Sequence, residues 1–164
     1  MIINCIIIDD EPLAINVIKN HLLEIDKVNI IDTFNSAIEA LNFLKENTVD
    51  LIFLDINMPL LDGINFIKSL ERKPLIIITS AYDEYAVKTY ELEVLDYLVK
   101  PISFPRFLKA INRARKETDS NSSTNNLKIT KREHLFIKVD KKKMQKIYLD
   151  EILVIESLRD YLKI

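Results

Sequence analysis

Short apolar runs and amphipathic stretches alternate along the first 118 residues of the chain. The apolar runs are rich in β-branched residues and nearly continuous, as expected of strands covered on both faces of a parallel sheet. They are IINCIIID (2–9), VNIIDTF (28–34), DLIFLD (50–55), PLIIITS (74–80) and DYLVK (96–100). The stretches between and after them have helical spacing and predict helices at 12–25, 36–47, 63–73, 83–93 and 103–117.

Five strands that alternate with five helices predict an α/β fold, a doubly wound five-stranded parallel sheet with right-handed crossovers. Two helix starts also carry local signals. Pro12 is expected in a first helical turn, with Asp10 or Glu11 near the cap. Ser36 and Glu39 have the spacing of a capping box.

The composition changes after this region. Residues 119–126 are polar and predict a flexible linker between a first domain at 1–118 and a second at 127–164. In the second domain, LFIKV, KIYL and ILVIE predict strands, and DKKK predicts the turn of a hairpin. Residues 1–119 carry 13 basic and 19 acidic side chains, a net charge of −6, whereas residues 120–164 carry 10 and 6, a net charge of +4. This division indicates two modules with different partners.

Composition also bounds the environment of the chain. Cys5 is the sole cysteine and lies within an apolar run, so we expect a buried thiol, no internal disulfide and a reducing cytosol. The first residues lack the basic region of a signal peptide and lead directly to Asp9, Asp10 and Glu11. No apolar run approaches the roughly 18 residues that a membrane span requires. We therefore expect a cytoplasmic protein without a membrane segment.

The predicted sheet locates a candidate site. Ligands of open α/β sheets bind beyond the carboxyl ends of the strands. The ends of four predicted strands carry Asp9, Asp10, Asp55, Thr79, Ser80 and Lys100. Three carboxylates at one crevice would repel each other, and Mg²⁺ is a hard cation that relieves such repulsion. An alternative for any single acid is structural, with Asp9 and Asp10 capping a helix and Asp55 beginning a loop.

This set of residues predicts phosphoryl chemistry. Asp55 is the central acid and the candidate nucleophile toward a phosphoryl group. Lys100 and the metal would neutralise charge on the phosphoryl oxygens, and the Thr79 hydroxyl could donate to one of them. Gly63, the only glycine, closes the loop after Asp55. It is expected to supply either a positive φ or a close backbone approach.

Four motifs, IIIDDEP, DLIFLDINMPLLDG, IIITSA and DYLVKP, occur in this order over residues 1–118. Together they resemble the receiver domain of bacterial two-component response regulators, which has a flavodoxin-like fold. The resemblance implies that Asp55 is the phospho-acceptor and that Mg²⁺ is held by Asp9, Asp10, Asp55 and the backbone carbonyl of Asn57. It further implies that Lys100 contacts the phosphoryl group, that Thr79 and Tyr97 are switch residues and that the Lys100–Pro101 peptide bond is cis.

The same resemblance implies partners. A sensor histidine kinase would donate the phosphoryl group, and the domain would catalyse its own phosphorylation and dephosphorylation without being a turnover enzyme. A homodimer would form through the face made by the fourth predicted helix (83–93), the fifth predicted strand (96–100) and the fifth predicted helix (103–117). Side chains that could contribute charge pairs on this face are Lys88, Glu91, Glu93 and Arg113, although solvated side chains are the alternative.

Residues 134–164 resemble the start of a LytTR-type DNA-binding domain, which implies a transcription regulator. Only about 38 residues follow the linker, so we expect a truncated output domain and DNA binding only through a complete one. Lys141, Lys142, Lys143 and Lys146 could contact phosphates, although a solvated turn is the alternative. His21 is placed on a helix face and His134 near a strand start, without a catalytic or zinc-binding role.

Three other functions are weaker. An aspartate phosphatase would place its nucleophile and acid in an Asp-x-Asp pattern after the first strand, whereas Asp9 and Asp10 are adjacent here. An interaction module that is never phosphorylated would not require the acidic residues together. A nucleotide-binding loop needs more than a single glycine.

Overall fold

Five parallel strands form the central sheet of the chain. The computed structural model describes residues 2–82, 92–123, 134–140, 143–148, 156–158 and 161–163, with side-chain environments for 2–82 and 92–119. The strands are β1 (Ile3–Ile8), β2 (Val28–Phe34), β3 (Leu51–Asp55), β4 (Leu75–Ser80) and β5 (Asp96–Val99). Their order in the sheet is β2-β1-β3-β4-β5, and every pair is parallel. The predicted doubly wound parallel sheet is confirmed.

Four helices are present in the described part of the chain. They are α1 (Pro12–Leu23), α2 (Ala37–Glu46), α3 (Gly63–Ser69) and α4 (Phe104–Ser123). Most of the helix predicted at 83–93 falls on residues 83–91, outside the described residues. α3 ends four residues earlier than predicted. The Ser69 hydroxyl donates to the carbonyls of Asn65 (3.0 Å) and Phe66 (2.8 Å), which gives the last turn an alternative to continued helix.

The boundary of the last helix also differs from the prediction. α4 continues to Ser123, so that residues 119–123 of the predicted linker are helical. These residues have a low helix propensity, which favoured a linker. However, no proline or glycine lies between Arg106 and Ser123 to interrupt the backbone hydrogen bonds.

The helix starts confirm one local signal and correct another. Glu11 is the N-cap residue of α1, and Pro12 occupies the first turn as predicted. Ser36 is the N-cap residue of α2, but its side chain makes no capping hydrogen bond, so the predicted capping box is not formed. A side-chain cap is observed at a different helix, α3, where Asp62 accepts from the Asn65 amide at 2.8 Å.

Antiparallel hairpins follow in the second part of the chain. β6 (His134–Asp140) pairs with β7 (Lys143–Tyr148), as the predicted strands and turn require. A shorter pair joins β8 (Glu156–Leu158) and β9 (Tyr161–Lys163). Most of the predicted strand ILVIE lies outside the described residues, which resume at Glu156.

Two apolar layers cover the central sheet, one on each face. Ile7, Phe53 and Ile77 pack with residues of α1 and α4 on one face. Leu54 and Ile78, from the same strands, pack with residues of α2 and α3 on the other. Because successive residues of a strand point to opposite faces, this double burial explains the continuous apolar runs. Each fully buried Ile, Leu or Phe contributes about 1.5–3 kcal/mol.

Cys5 is fully buried within the first of these layers, and this burial raises the pKa of its thiol to about 12. At pH 8 the thiolate fraction is then roughly a thousandfold lower than for a thiol with the ordinary pKa. We expect native protein to resist alkylation by iodoacetamide for hours and urea-unfolded protein to react rapidly, as measured by intact mass. Labelling of native protein at the unfolded rate would contradict this burial.

The raised thiol pKa also has a consequence for stability. Well below pH 9 the thiol is neutral in both the folded and the unfolded chain, so its ionisation does not alter the free energy of unfolding. As the pH rises from 9 toward 12, the thiol ionises in the unfolded chain before it does so in the folded one, so the free energy of unfolding falls over that window.

Candidate functional site

Four of the predicted site residues meet at the carboxyl edge of the sheet. Asp9 directly follows β1 and is fully buried, while Asp55 ends β3 and is 4% exposed. Lys100 follows β5, and its Nζ lies 2.9 Å from Asp9 Oδ2 and 3.0 Å from Asp55 Oδ1. Thr79 lies in β4, beside Asp55 in the sheet register. The predicted convergence of these strand ends is confirmed.

Asp10 completes a cluster of three carboxylates. One oxygen each of Asp9, Asp10 and Asp55 lies within 4.8 Å of the others, and only Asp10 is exposed to solvent. Asp9 Oδ1 accepts from the Glu11 amide at 3.1 Å, which turns its other oxygen toward Lys100. The cluster is an all-oxygen donor set, which suits a hard divalent cation such as Mg²⁺.

Burial and charge have opposing effects at this cluster. Burial raises the pKa values of Asp9 and Asp55, and hydrogen bonds from Lys100 offset part of that rise. The charge of Asp10 adds to the rise at Asp55. Burial alone would lower the pKa of Lys100, but the two carboxylates outweigh it and hold that pKa above its usual value. Three acids and one lysine therefore leave an excess of negative charge that a bound cation would relieve.

The loop between β3 and α3 fixes the Asp55 side chain and explains the single glycine. The Asn57 amide donates to Asp55 Oδ2 at 2.6 Å, and the Gly63 amide donates to the Ile56 carbonyl at 2.9 Å. A Cβ on Gly63 would clash with the carbonyl oxygen of Asp55 and lie 3.0 Å from Ile56 Cα. Gly63 does not have a positive φ. Of the two predicted reasons for this glycine, the close backbone approach is the one observed.

Leu60 is the strained residue of the same loop. It adopts φ = 69°, a left-handed conformation that is rare for a leucine, and its side chain is 93% exposed. The Leu61 amide donates to the Pro59 carbonyl at 2.8 Å, which closes a three-residue turn at Leu60. This turn brings the chain back toward Gly63.

Thr79 and Tyr97 lie on the neighbouring strands β4 and β5. The Thr79 hydroxyl is buried and has no hydrogen-bond partner among the residues that the structure describes. Tyr97 is also buried, and its hydroxyl donates to the carbonyl of Tyr82. An unpaired buried hydroxyl is costly. Thr79 is therefore a donor that a ligand in the crevice could use.

The Lys100–Pro101 peptide bond is cis, as the resemblance implied. The Lys100 amide donates to the Ser80 carbonyl at 2.7 Å, so the backbone of this residue is tied to β4. Its side chain, 18% exposed, can therefore reach back across the edge of the sheet to Asp9 and Asp55.

A buried carboxylate that the sequence did not indicate lies at the start of β5. Asp96 is 1% exposed and accepts two hydrogen bonds from Arg106, at 2.9 and 2.6 Å. Arg113 pairs with the same carboxylate at 3.1 Å. Arg106 also donates to the Tyr97 carbonyl at 2.9 Å, which ties α4 to β5. The sequence signal for this buried ion pair is an acid at the start of an apolar strand, followed in the next helix by two arginines that lie seven residues apart on the same helical face.

The structure describes two of the four side chains expected on the dimer face. Arg113 is engaged with Asp96 of its own chain, and Glu93 lies 3.8 Å from Lys73. Lys88 and Glu91 lie outside the described residues.

Comparison with known proteins defines the class. Residues 5–112 match the family "Response regulator receiver domain". The chain therefore belongs to the response regulator receiver family. Within the part of the chain that the structure describes, no helix is long and apolar enough to cross a membrane.

Several relatives are similar to a large part of this chain. Sensory transduction protein LytR of Staphylococcus haemolyticus is 37% identical over 125 residues, which cover 74% of this chain and 49% of that protein. Transcriptional regulatory protein BtsR of Escherichia coli is 37% identical over 117 residues, covering 70% and 49%. The crystal structure of the response regulatory domain of mrkE from Klebsiella pneumoniae has a TM-score of 0.64 and 35% identity, covering 74% of this chain and 99% of that one. The chain spans about half the length of the curated relatives it matches.

Proposed function

We propose that Asp55 accepts a phosphoryl group from a sensor histidine kinase and that the modified domain is a switch for transcription. The observation that carries this proposal is the contact of one lysine with two buried carboxylates, 2.9 Å from Asp9 and 3.0 Å from Asp55. Nothing in the packing of the sheet needs these three charges at one edge. Their arrangement suits the placement and charge neutralisation of a phosphoryl group.

The proposed transfer begins with attack of an Asp55 carboxylate oxygen on phosphorus. The P–N bond of the kinase phosphohistidine breaks, its electron pair returns to the imidazole, and the new O–P bond forms an acyl phosphate. Lys100 then donates to a phosphoryl oxygen, and the unpaired Thr79 hydroxyl donates to another. Attack by water later releases inorganic phosphate and restores the Asp55 carboxylate. The chain thus modifies itself and is not a turnover enzyme.

Mg²⁺ fits this site through its donor chemistry. We assign Asp9, Asp10 and Asp55 as the carboxylates that would hold it. The backbone carbonyl of Asn57 would be a further ligand, as the family resemblance implies. When bound, Mg²⁺ neutralises the cluster and the phosphoryl oxygens. The residues of this chain supply the remainder of the chemistry: Lys100 and Thr79 orient the phosphoryl group, and the Asn57 amide holds Asp55 in place.

Removal of Mg²⁺ should lower stability if this assignment is right. At a concentration about ten times its Kd, Mg²⁺ is expected to raise the free energy of unfolding by about 1.4 kcal/mol. The measurement is urea unfolding with Mg²⁺ and with EDTA. Asp10→Asn should abolish the increment, and it should stabilise the metal-free protein slightly because it relieves repulsion with Asp55. The matched control is Asp26→Asn, which changes an exposed acid far from the cluster in sequence. An equal loss of the Mg²⁺-dependent stabilisation in both variants would contradict the assigned metal site.

The switch would act through Thr79 and Tyr97. Movement of Thr79 toward a phosphoryl oxygen would free space beside Tyr97, whose hydroxyl bond to the Tyr82 carbonyl links β5 to the end of β4. This repacking would alter the face that includes β5 and α4. We propose that this face forms the homodimer.

Dimerisation can be followed with beryllofluoride, which mimics a phosphoryl group. In light scattering, wild type with Mg²⁺ and beryllofluoride is expected to double in mass, and Asp55→Asn is expected to remain unchanged. A wild type that binds beryllofluoride and stays monomeric would contradict the proposed dimer.

The output of the switch rests on the relatives. LytR and BtsR carry the names of a sensory transduction protein and a transcriptional regulatory protein. The hairpins after α4 fit the start of a LytTR-type domain that is rich in β-strands. We propose that DNA is bound through a complete output domain of this type.

Intact mass tests the acceptor role. Incubation with a small acyl phosphate and Mg²⁺ should add a single phosphoryl group to wild type and none to Asp55→Asn. Turnover of a generic phosphate ester would instead favour a phosphatase. A folded wild type without an adduct would overturn the proposed function.

A further inference from the structure

His21 is the polar side chain that links α1 to the loop carrying Lys100. It lies in the last turn of α1, and its Nε2 is 3.0 Å from the carbonyl oxygen of Ile102. The ring also contacts Phe104 and Phe107 of α4, with centroid distances of 5.5 and 5.2 Å. Because a carbonyl oxygen can only accept, Nε2 must carry the hydrogen of this bond. The contact joins residues 81 positions apart.

The loop between β5 and α4 is held at three points around Lys100. The Lys100 amide donates to the Ser80 carbonyl at 2.7 Å on the β4 side. The Ser103 carbonyl accepts from the first turn of α4, including the Phe107 amide at 3.0 Å. His21 supplies the third point at Ile102, two residues after Lys100. It is the side chain from α1 that fixes this short segment.

We propose that His21 is a positioning residue for Lys100. The Lys100 Nζ lies 2.9 Å from Asp9 Oδ2 and 3.0 Å from Asp55 Oδ1, and the backbone that carries it is held by the hydrogen bonds just described. Loss of the donor leaves the half-buried Ile102 carbonyl without its partner and allows the loop to open toward solvent. Lys100 would then spend less time between Asp9 and Asp55. The consequence for phosphorylation rests on the proposed function, whereas the anchoring itself does not.

Two variants separate the hydrogen bond from the packing of the ring. His21→Phe keeps an aromatic ring against Phe104 and Phe107 but has no donor. His21→Gln loses the ring but carries an amide nitrogen that can reach Ile102 as Nε2 does. If His21 acts only through the packing of its ring, phenylalanine should replace it better than glutamine. If it acts through its hydrogen bond to Ile102, glutamine should replace it better than phenylalanine.

Amide hydrogen exchange tests the anchoring in the free protein. In His21→Phe, exchange of the Lys100 amide is expected to accelerate roughly five- to tenfold, with the central Ile7 amide of β1 unchanged. In His21→Gln, Lys100 exchange should return to within twofold of wild type. Equal Lys100 exchange in wild type and His21→Phe would overturn the proposal. So would equal acceleration at Lys100 and Ile7, or a His21→Gln variant as fast as His21→Phe.

A double-mutant cycle tests the link to chemistry. His21→Phe is expected to lower the phosphorylation rate constant about fivefold at saturating Mg²⁺, without a change in Mg²⁺ affinity. In a Lys100→Met background the same change should have no further effect. A fivefold loss in both backgrounds would overturn the coupling to Lys100. If wild type itself accepts no phosphoryl group, the proposed function fails, and hydrogen exchange still decides whether His21 anchors the loop.

Discussion

Lys100→Met is expected to slow phosphorylation of Asp55 about a hundredfold, the size of effect that follows loss of one preorganised donor. Methionine keeps the apolar length of the side chain but cannot neutralise the phosphoryl oxygens. The Lys100 ammonium already lies 3.0 Å from Asp55 Oδ1, within the carboxylate that would be modified, so little reorganisation is needed when the phosphoryl group arrives. The measurement is the initial rate of adduct formation with an acyl phosphate at saturating Mg²⁺.

The matched control is Lys109→Met, which makes the same change at an exposed position of α4. It should leave the rate within twofold of wild type. Because Lys100→Met also leaves two buried carboxylates without their partner, it is expected to cost about 3 kcal/mol of stability without Mg²⁺. Folded protein must therefore be verified by circular dichroism in the assay buffer. A folded Lys100→Met variant that is phosphorylated as fast as Lys109→Met would remove Lys100 from the mechanism.

Gly63→Ala is expected to destabilise the protein by about 2–3 kcal/mol, although glycine to alanine at an ordinary helix position stabilises. The new methyl group would meet the carbonyl oxygen of Asp55 and the Cα of Ile56, which are backbone atoms that cannot rotate away. Relief of the clash must move α3 or the end of β3. We therefore expect slower phosphorylation as well, because Asp55 moves with its own carbonyl.

Urea unfolding measures this effect, and Lys68→Ala on the same helix is the control. Lys68 is exposed, and its replacement should change stability by less than about 0.5 kcal/mol. A Gly63→Ala variant that equals or exceeds wild type in stability would show that the close approach to Asp55 is not a constraint.

The sheet and the site were predictable because they depend on local patterns. A strand buried on both faces has no polar positions, so runs such as that of β3 identify it directly. Parallel strands then place their carboxyl ends at one edge, which brings Asp9, Asp55 and Lys100 together from three motifs. No long-range information is needed for either step.

Other features depend on tertiary contacts that periodicity does not encode. The Asp96 carboxylate is satisfied by arginines 10 and 17 positions later, which only the packing of α4 on β5 brings close. The contact between His21 and Ile102 also crosses the fold. The predicted end of α3 was wrong because the Ser69 hydroxyl offers the last turn a local alternative to continued helix. The predicted end of α4 was wrong because Asp119 to Ser123 do not interrupt that helix.

The most direct test of Asp55 as acceptor is borohydride trapping. Borohydride reduces an aspartyl phosphate to homoserine, and peptide mapping then identifies which acid was modified. After reaction with an acyl phosphate and Mg²⁺, we predict homoserine at position 55 alone, and none when EDTA replaces Mg²⁺. Homoserine at position 9 or 10, or at no position in folded protein that binds Mg²⁺, would contradict the account.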